Sequence, residues 1–293
     1  MTGRSICPVC DSPRLRTVSL LAEGRVLRCG DCSLEITASA LTGGSHAPTS
    51  DGHSSSTITA AGYREEMISG YHSHRSQLSQ LALNRLKLYS RILGRSPRSI
   101  LEVGSGTGWM IRAFHELGVQ SAGLEIDEAL VAIARENGAN VHLADICQID
   151  PSTYPKHDVI CSSQTLEHIM SPRSAIANMK GLARPGGLVH LDVPNAAGWG
   201  AQLRRLRRGR ARWGVIDPPH HQIGYYPKSL RILVERAALE IMSIMERPTD
   251  DSTYGQAILP SARFSKVAIG LSRWLGHGYL LIGLARVPDR GEA

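Results

Sequence analysis

The 293-residue chain has no apolar run long enough to span a bilayer, which excludes a membrane-crossing helix of ordinary length. It shows no signal-peptide pattern either, because Cys7 and Pro8 interrupt the start almost at once. The expectation is a cytoplasmic protein. Cysteine is scarce past residue 32, where only Cys147 and Cys161 occur, each inside an apolar stretch. A cytosolic chain has little use for disulfides, so the four earlier cysteines are expected to bind metal. Charge of one sign is not extreme. The net +7 permits an anionic partner and does not demand nucleic acid.

Two nucleotide-binding signatures are missing from the one glycine cluster that follows a strand-like run. Ser99 to Val103 is apolar enough for a short buried strand, and Gly104-Ser105-Gly106-Thr107-Gly108 follows it. No Gly-Lys-Ser/Thr completes a P-loop there. A dinucleotide fingerprint fails as well, since Trp109 stands where its third glycine belongs.

What is present is a strand, a glycine loop and an amphipathic helix, with Trp109, Met110, Ala113, Phe114 and Leu117 at helical spacing. The glycines let backbone approach a ligand where a Cβ would clash. Acids recur at the ends of the following strands: Glu102 on the first, Glu125 about 20 residues beyond the glycines, and Asp145 after a third strand over 140–143. A carboxylate can accept from two ribose hydroxyls at once, which suits Glu125. Asp127 beside it reads as the cap of the helix starting at Glu128. Asp145 taken alone could be a simple loop or turn acid, a reading that the succession of three strand-end acids disfavours. Ligands at the carboxyl ends of parallel strands are what an open α/β sheet predicts.

The Glu-x-Gly-x-Gly-x-Gly loop resembles that of class I S-adenosylmethionine-dependent methyltransferases, and the likeness runs continuously from Val103 to Pro194. It includes Leu166-Glu167-His168 followed by Pro172, frequent in the ubiquinone-type branch, and Pro185-Gly186-Gly187 ahead of a strand. The resemblance implies a Rossmann-like, seven-stranded, mostly parallel α/β sheet with helices on both faces, closed by an antiparallel hairpin. It implies S-adenosylmethionine as cofactor. Glu102 with Gly104, Gly106 and Gly108 would hold the methionine end, Glu125 the ribose and Asp145 the adenine amine. Ile126 and Ile146 would pack on the adenine, and Gln164 would be a further contact.

Around that domain the chain divides as follows. Residues 1–37 carry Cys7-Pro8-Val9-Cys10 and Cys29-Gly30-Asp31-Cys32, two knuckles with 18 residues between them. That spacing matches a four-cysteine zinc ribbon, in which two tight turns each present two thiolates. So small a module would take its folding energy from the metal. The zinc is expected to be structural, with Cys7, Cys10, Cys29 and Cys32 as ligands. The ribbon either docks on the catalytic domain or a second subunit, or contacts substrate or nucleic acid. Residues 38–62, rich in Ser, Thr, Gly, Ala and His, read as a linker. Residues 63–293 form the methyltransferase domain, with substrate-recognition inserts at 195–226 and 248–276.

The first insert holds Arg204, Arg205, Arg207, Arg208, Arg210 and Arg212, then Trp213, and Pro218-Pro219-His220-His221 with Tyr225 and Tyr226. Guanidinium forks suit phosphate or carboxylate, so an anionic acceptor is one expectation, against a plain solvated face. Substrate-contact candidates are Arg204, Trp213, Tyr225 and Tyr226. His220 or His221 leads as general base, with Glu167 and His168 as further acid/base candidates because histidine titrates near neutrality. The Pro-Pro-His-His stretch also loosely resembles a His-rich segment of deoxysugar C-methyltransferases, which share an N-terminal four-cysteine module.

The function so implied is methyl transfer to a small molecule: a sugar, a phosphorylated intermediate or a secondary metabolite. The competing reading is an RNA methyltransferase whose ribbon and arginine run grip phosphates. No aromatic stacking pattern accompanies the basic residues of the ribbon, which speaks against it. A non-enzymatic cofactor-binding regulator is the third. The oligomeric state and the acceptor atom (O, N or C) do not follow from the sequence.

Overall fold

The computed structural model describes residues 5–41, 75–206, 212–247 and 278–289. The second expected insert and most of the expected linker lie outside them. Strands Leu15–Leu21 (β1), Gly24–Cys29 (β2) and Glu35–Thr37 (β3) form the ribbon. Its packing continues past residue 37: the Ala38 amide donates to the Arg25 carbonyl at 2.8 Å, and Ala40 is buried.

The larger unit begins with helix Arg75–Leu93 (α1). There follow Ser99–Val103 (β4), Trp109–Glu116 (α2), Gln120–Glu125 (β5), Glu128–Glu136 (α3) and Val141–Leu143 (β6). Next come His157–Ser163 (β7), Pro172–Leu182 (α4), Ala183–Pro194 (β8) and Trp199–Leu206 (α5). Ile223–Gly224 (β9), Pro227–Arg236 (α6), Glu240–Arg247 (β10) and Leu280–Arg286 (β11) complete the described strands and α-helices.

The main sheet has seven strands in the order β10-β11-β8-β7-β4-β5-β6. The pairs from β8 to β6 are parallel, and β11 and β10 run antiparallel at one edge. All five residues of β4 are buried, as a central parallel strand covered on both faces requires. This is the Rossmann-like α/β sheet that the sequence implies. Local signals hold too. Asp127 caps α3, its side chain accepting from the Ala129 and Leu130 amides, and Pro172 opens α4. The Arg184-Pro185-Gly186-Gly187 turn differs in form: it lies inside β8 as an irregularity in its pairing with β7.

The ribbon is not a separate body. Strand β3 pairs with β9 of the first insert, so β1-β2-β3-β9 form one second sheet. A continuous core runs from Cys7, Val9, Leu34 and Ile36 through Ile223 and Tyr225 to Ile160 and Val189. Asp11 adds an outer clamp, accepting from Arg173 of α4 and Arg236 of α6. Among the described residues no helix is long and apolar enough to cross a membrane.

Candidate active site and metal centre

A cavity opens at the carboxyl ends of β4, β7 and β8. Arg85, Glu102, Gly104, Ser105, Gln164 and Asp192 line it, closed by apolar side chains of α1, α2 and β11. The glycine loop is stapled to the neighbouring strand: the Gly104 and Ser105 amides donate to the Leu124 carbonyl at 2.8 and 3.2 Å. Gly104, with φ of 74°, comes so close to the segment after β7 that an added Cβ would lie 2.2 Å from Thr165 Oγ1. Gly104→Ala combines that clash with a left-handed backbone and is expected to cost ~2–4 kcal/mol. Thermal unfolding should show a fall of several degrees, and an unchanged midpoint would contradict the packing.

Glu102 is the chemically unfinished group. It is 4% exposed, and its Oε2 has no hydrogen-bond partner. Burial pushes its carboxyl up to about 7, against the pull of Arg85 and with a push from Glu125. Glu125, at the end of β5, accepts three bonds from backbone. Its Oε2 accepts from the Gly106 amide at 2.8 Å, and its Oε1 from the Ile126 and Asp127 amides at 2.8 and 3.0 Å. A carboxylate offers about four lone-pair positions, so capacity remains on Oε2.

Further along the strand ends the expected adenine contacts divide. Ile126 is 37% exposed, as a ring-packing residue needs to be, whereas Ile146 is buried in the core. Asp145 ties its own turn, accepting from the Cys147 amide and the Gln148 side chain, both at 2.7 Å. Gln164 has φ of 51° and bonds to Asp192 through its amide at 2.7 Å. A non-glycine residue held there is a strained position of the kind found at ligand sites.

Arg85 escaped the sequence analysis. It is buried, donating to Ser163 Oγ at 2.8 Å and Asp192 Oδ2 at 2.9 Å. Behind it Tyr89 Oη meets His190 Nδ1 at 2.5 Å, and burial holds His190 well below the ordinary histidine range. An arginine on the face of α1 that also carries Leu78, Leu81 and Tyr89 was the available signal.

Beside this cavity in the chain lies the Glu167 and His168 turn. Glu167 is fully buried with no partner for either oxygen, and burial raises its carboxyl to about 8. His168 Nδ1 lies 2.7 Å from the His220 carbonyl, an acceptor only, so Nδ1 carries the proton and Nε2 the lone pair in the neutral ring. The His168 and His221 rings meet edge to face at 4.9 Å, and one atom each of Glu167, His168 and His221 falls within 4.8 Å of the others. Burial, then His168, pushes His221 down to about 3. Burial thus disfavours the imidazolium of His221, which the sequence ranks with His220 as the leading base candidate. The proline pair before these histidines is joined by a cis bond.

The aromatic substrate-contact candidates are placed elsewhere. Tyr225 is fully buried in the core, its hydroxyl donating to the Leu166 carbonyl at 3.3 Å. Trp213 Nε1 and Tyr226 Oη both donate to Glu35 of the ribbon, at 3.2 Å each. Of the arginine run, Arg205 pairs with the same Glu35 at 2.9 Å. Arg204 is half-buried near Tyr279, Arg212 and Asp217, and burial lowers its pKa.

The four cysteines meet as their spacing predicts. Cys7 Sγ lies 3.5 Å from Cys32 Sγ, Cys10 Sγ 3.5 Å from Cys29 Sγ, and all four sulfurs fall within 4.8 Å of one another. Tetrahedral zinc with Zn–S bonds of ~2.3 Å puts sulfurs ~3.8 Å apart, so the donor set fits that ion. The knuckles repeat each other. Asp11 and Ser33, each just after a second cysteine, have φ of 59° and 67° and donate to the carbonyls of Cys7 and Cys29.

Comparison with known proteins bears on the larger unit. A family model described as a methyltransferase domain matches residues 71–244. A ubiquinone biosynthesis O-methyltransferase of Pseudomonas paraeruginosa is 32% identical over 108 residues, 35% of this chain and 47% of that relative. One from Methylococcus capsulatus is 29% identical over 140 residues, 43% of this chain and 59% of the other. The chain thus spans about half the length of the curated relatives it matches. Among solved structures, the plantazolicin methyltransferase BamL, crystallised with a triazolic desmethylPZN analog and S-adenosylhomocysteine, superposes with a TM-score of 0.54 at 12% identity, over 76% of this chain and 89% of that one. An Archaeoglobus fulgidus S-adenosylmethionine-dependent methyltransferase gives 0.50 at 18% identity, over 71% and 94%. These two share the fold. Since the family model covers more than half of the chain, and does so across the strands that build the cavity, the chain belongs to the class I S-adenosylmethionine-dependent methyltransferases.

Proposed function

We propose that the protein moves the methyl group of S-adenosylmethionine to a small-molecule acceptor, and that its four cysteines hold a structural zinc. The observation that carries the first part is the buried, unpartnered Glu102 oxygen at the cavity wall beside the glycine loop. A donor is needed there, and the amine of the cofactor's methionine end is one. Arg85, held by Ser163 and Asp192, offers its guanidinium to the carboxylate of that same end. Glu125 takes a ribose hydroxyl on its remaining lone pair, Ile126 packs on adenine, and Asp145 accepts the adenine amine while it caps its turn.

The bound cofactor supplies an activated methyl group; the chain supplies alignment, exclusion of water and management of the acceptor's proton. His168 is the best-placed base, its proton fixed on Nδ1 by the His220 carbonyl and its lone pair on Nε2. Glu167, raised to about 8, is mostly protonated at neutral pH and acts as a hydrogen-bond donor to the acceptor. Arg204 meets an anionic group on the acceptor.

A small molecule is favoured over RNA because Arg28 and Arg205 are spent on Glu35, inside the ribbon-insert junction. The test is methyl transfer from radiolabelled S-adenosylmethionine to a small-molecule extract and to total RNA, with RNA filter binding at low and moderate salt. Label in the small-molecule fraction and no salt-dependent RNA retention is the expected result. Label confined to RNA would overturn the acceptor class, and no transfer to either would overturn the activity.

A further inference from the structure

We infer that Glu35, a residue of the ribbon, is a positioning residue for the acceptor side of the methyltransferase site, so that the ribbon forms the rear wall of that site. The inference rests on the reading of Glu167 and His168 as the acceptor side.

Glu35 is fully buried and gathers donors from three segments of the chain. Its Oε1 accepts from Arg28 of β2, from Trp213 Nε1 at 3.2 Å and from Tyr226 Oη at 3.2 Å. Its Oε2 accepts from Arg205 of α5 at 2.9 Å. The arginines also stack on the aromatics: Arg28 lies 5.4 Å from the Tyr226 ring centre and Arg205 5.7 Å from that of Trp213. Trp213 and Tyr226 are the two ends of one segment. A single carboxylate therefore pins both ends of the segment that carries His220 and His221.

The middle of that segment is what reaches the site. The Gln222 amide donates to the Glu167 carbonyl at 3.2 Å, and the His220 carbonyl receives His168 Nδ1. From the ribbon side, the Thr37 amide donates to the Gln222 carbonyl at 3.1 Å, and Thr37 Oγ1 to Gln222 Oε1 at 2.7 Å. Thus β3 holds the segment at its ends through Glu35 and at its centre through Thr37. The atom that selects the His168 tautomer belongs to a loop the ribbon holds. Charge-assisted bonds in so dry a setting are the strong kind, and removing the acceptor strands two guanidiniums. The cofactor cavity, by contrast, takes no residue from the ribbon or from 213–226.

That separation gives the test, done on the full zinc-loaded chain with Glu35→Gln and the charge-keeping Glu35→Asp. S-adenosylhomocysteine affinity is read by calorimetry, amide exchange by mass spectrometry, and carbethoxylation of individual histidines by peptide mapping. Glu35→Gln should speed exchange across 213–226, and modification of His168 and His221, at least tenfold. His142 on β6 should react as before and the cofactor-product affinity should stay within twofold. Glu35→Asp should recover most of the protection. Unchanged exchange and reactivity would overturn the inference, and so would a loss of affinity in step with them, which marks general loosening. Should Glu35→Gln fail to fold, Arg205→Met removes one arm alone and must show the same local pattern more weakly; no change there overturns the inference. If the wild-type chain does not bind S-adenosylhomocysteine, the methyltransferase reading fails by itself, while exchange and histidine reactivity still decide whether Glu35 holds the segment.

Discussion

Stripping the metal from the purified chain, or replacing Cys7 with serine, is expected to unfold residues 5–41 and to abolish methyl transfer while leaving cofactor binding largely intact. The ribbon is about 40 residues, too small to hold itself by apolar burial alone. Structural zinc sites of this ligand type are worth ~10–16 kcal/mol of apparent binding energy, which is folding energy for the module. Its loss cannot stay local. Cys7, Val9, Cys29 and Cys32 share one core with Ile223, Tyr225 and Leu230, and β3 is the pairing partner of β9. With β3 gone, the Trp213–Tyr226 segment loses its grip at Glu35 and Thr37. The cavity lined by Arg85, Glu102 and Gln164 draws nothing from the ribbon. Mass spectrometry under native conditions should find one zinc per chain before chelation and none after. Limited proteolysis should then cut within 5–41, and calorimetry should still register S-adenosylhomocysteine. Methyl transfer that survives full metal removal would contradict the assignment of the ribbon to the site.

The parts of this architecture that the sequence reveals are those whose cause is local. The buried run of β4, the left-handed glycines after it, Asp127 as a cap and Pro172 at a helix start each depend on residues within a few positions. Their succession carries the family resemblance, and it is the resemblance that implies seven strands. What it conceals are contacts made across long separations. Glu35 and Tyr226 are 191 residues apart, and no periodicity links a ribbon strand to a two-residue strand in an insert. A run of arginines looks alike whether it faces water or, as with Arg205, closes on a buried carboxylate. Tyr225 and Tyr226 are adjacent, yet one fills the core and the other serves the Glu35 junction. Asp145 shows the limit from the other side: its side chain makes the same turn bonds whether or not it also meets an adenine amine, so those bonds do not decide between the two readings.

Cofactor-product affinity should climb about tenfold per pH unit up to roughly pH 7 and then level off, and Glu102 is the reason. Burial raises its carboxyl from the ordinary 4.5 to about 7, so at pH 6 most chains carry the neutral acid. A neutral acid cannot pair with the cationic amine of S-adenosylhomocysteine. Binding below pH 7 must therefore expel a proton, and affinity falls with each unit of acidity. Calorimetry in buffers of different ionisation enthalpy should count close to one proton released at pH 6 and few at pH 7.5. Glu102→Gln should remove the slope and lower the plateau affinity ~100-fold or more, since breaking a buried pair costs ~3–5 kcal/mol. A flat profile in the wild type, or a slope that persists in Glu102→Gln, would rule this role out. Folding stability moves the opposite way with pH. An acid whose folded pKa lies above its unfolded value holds its proton more tightly when folded, so its contribution is complete below about 4.5 and is lost as pH rises through about 7. Glu167 extends that loss to about 8. Saturating S-adenosylhomocysteine keeps Glu102 ionised in both limbs and should erase its share, leaving the part that belongs to Glu167. The pH dependence of unfolding with and without the cofactor product thus separates two buried carboxyls that no single titration of the free chain can tell apart.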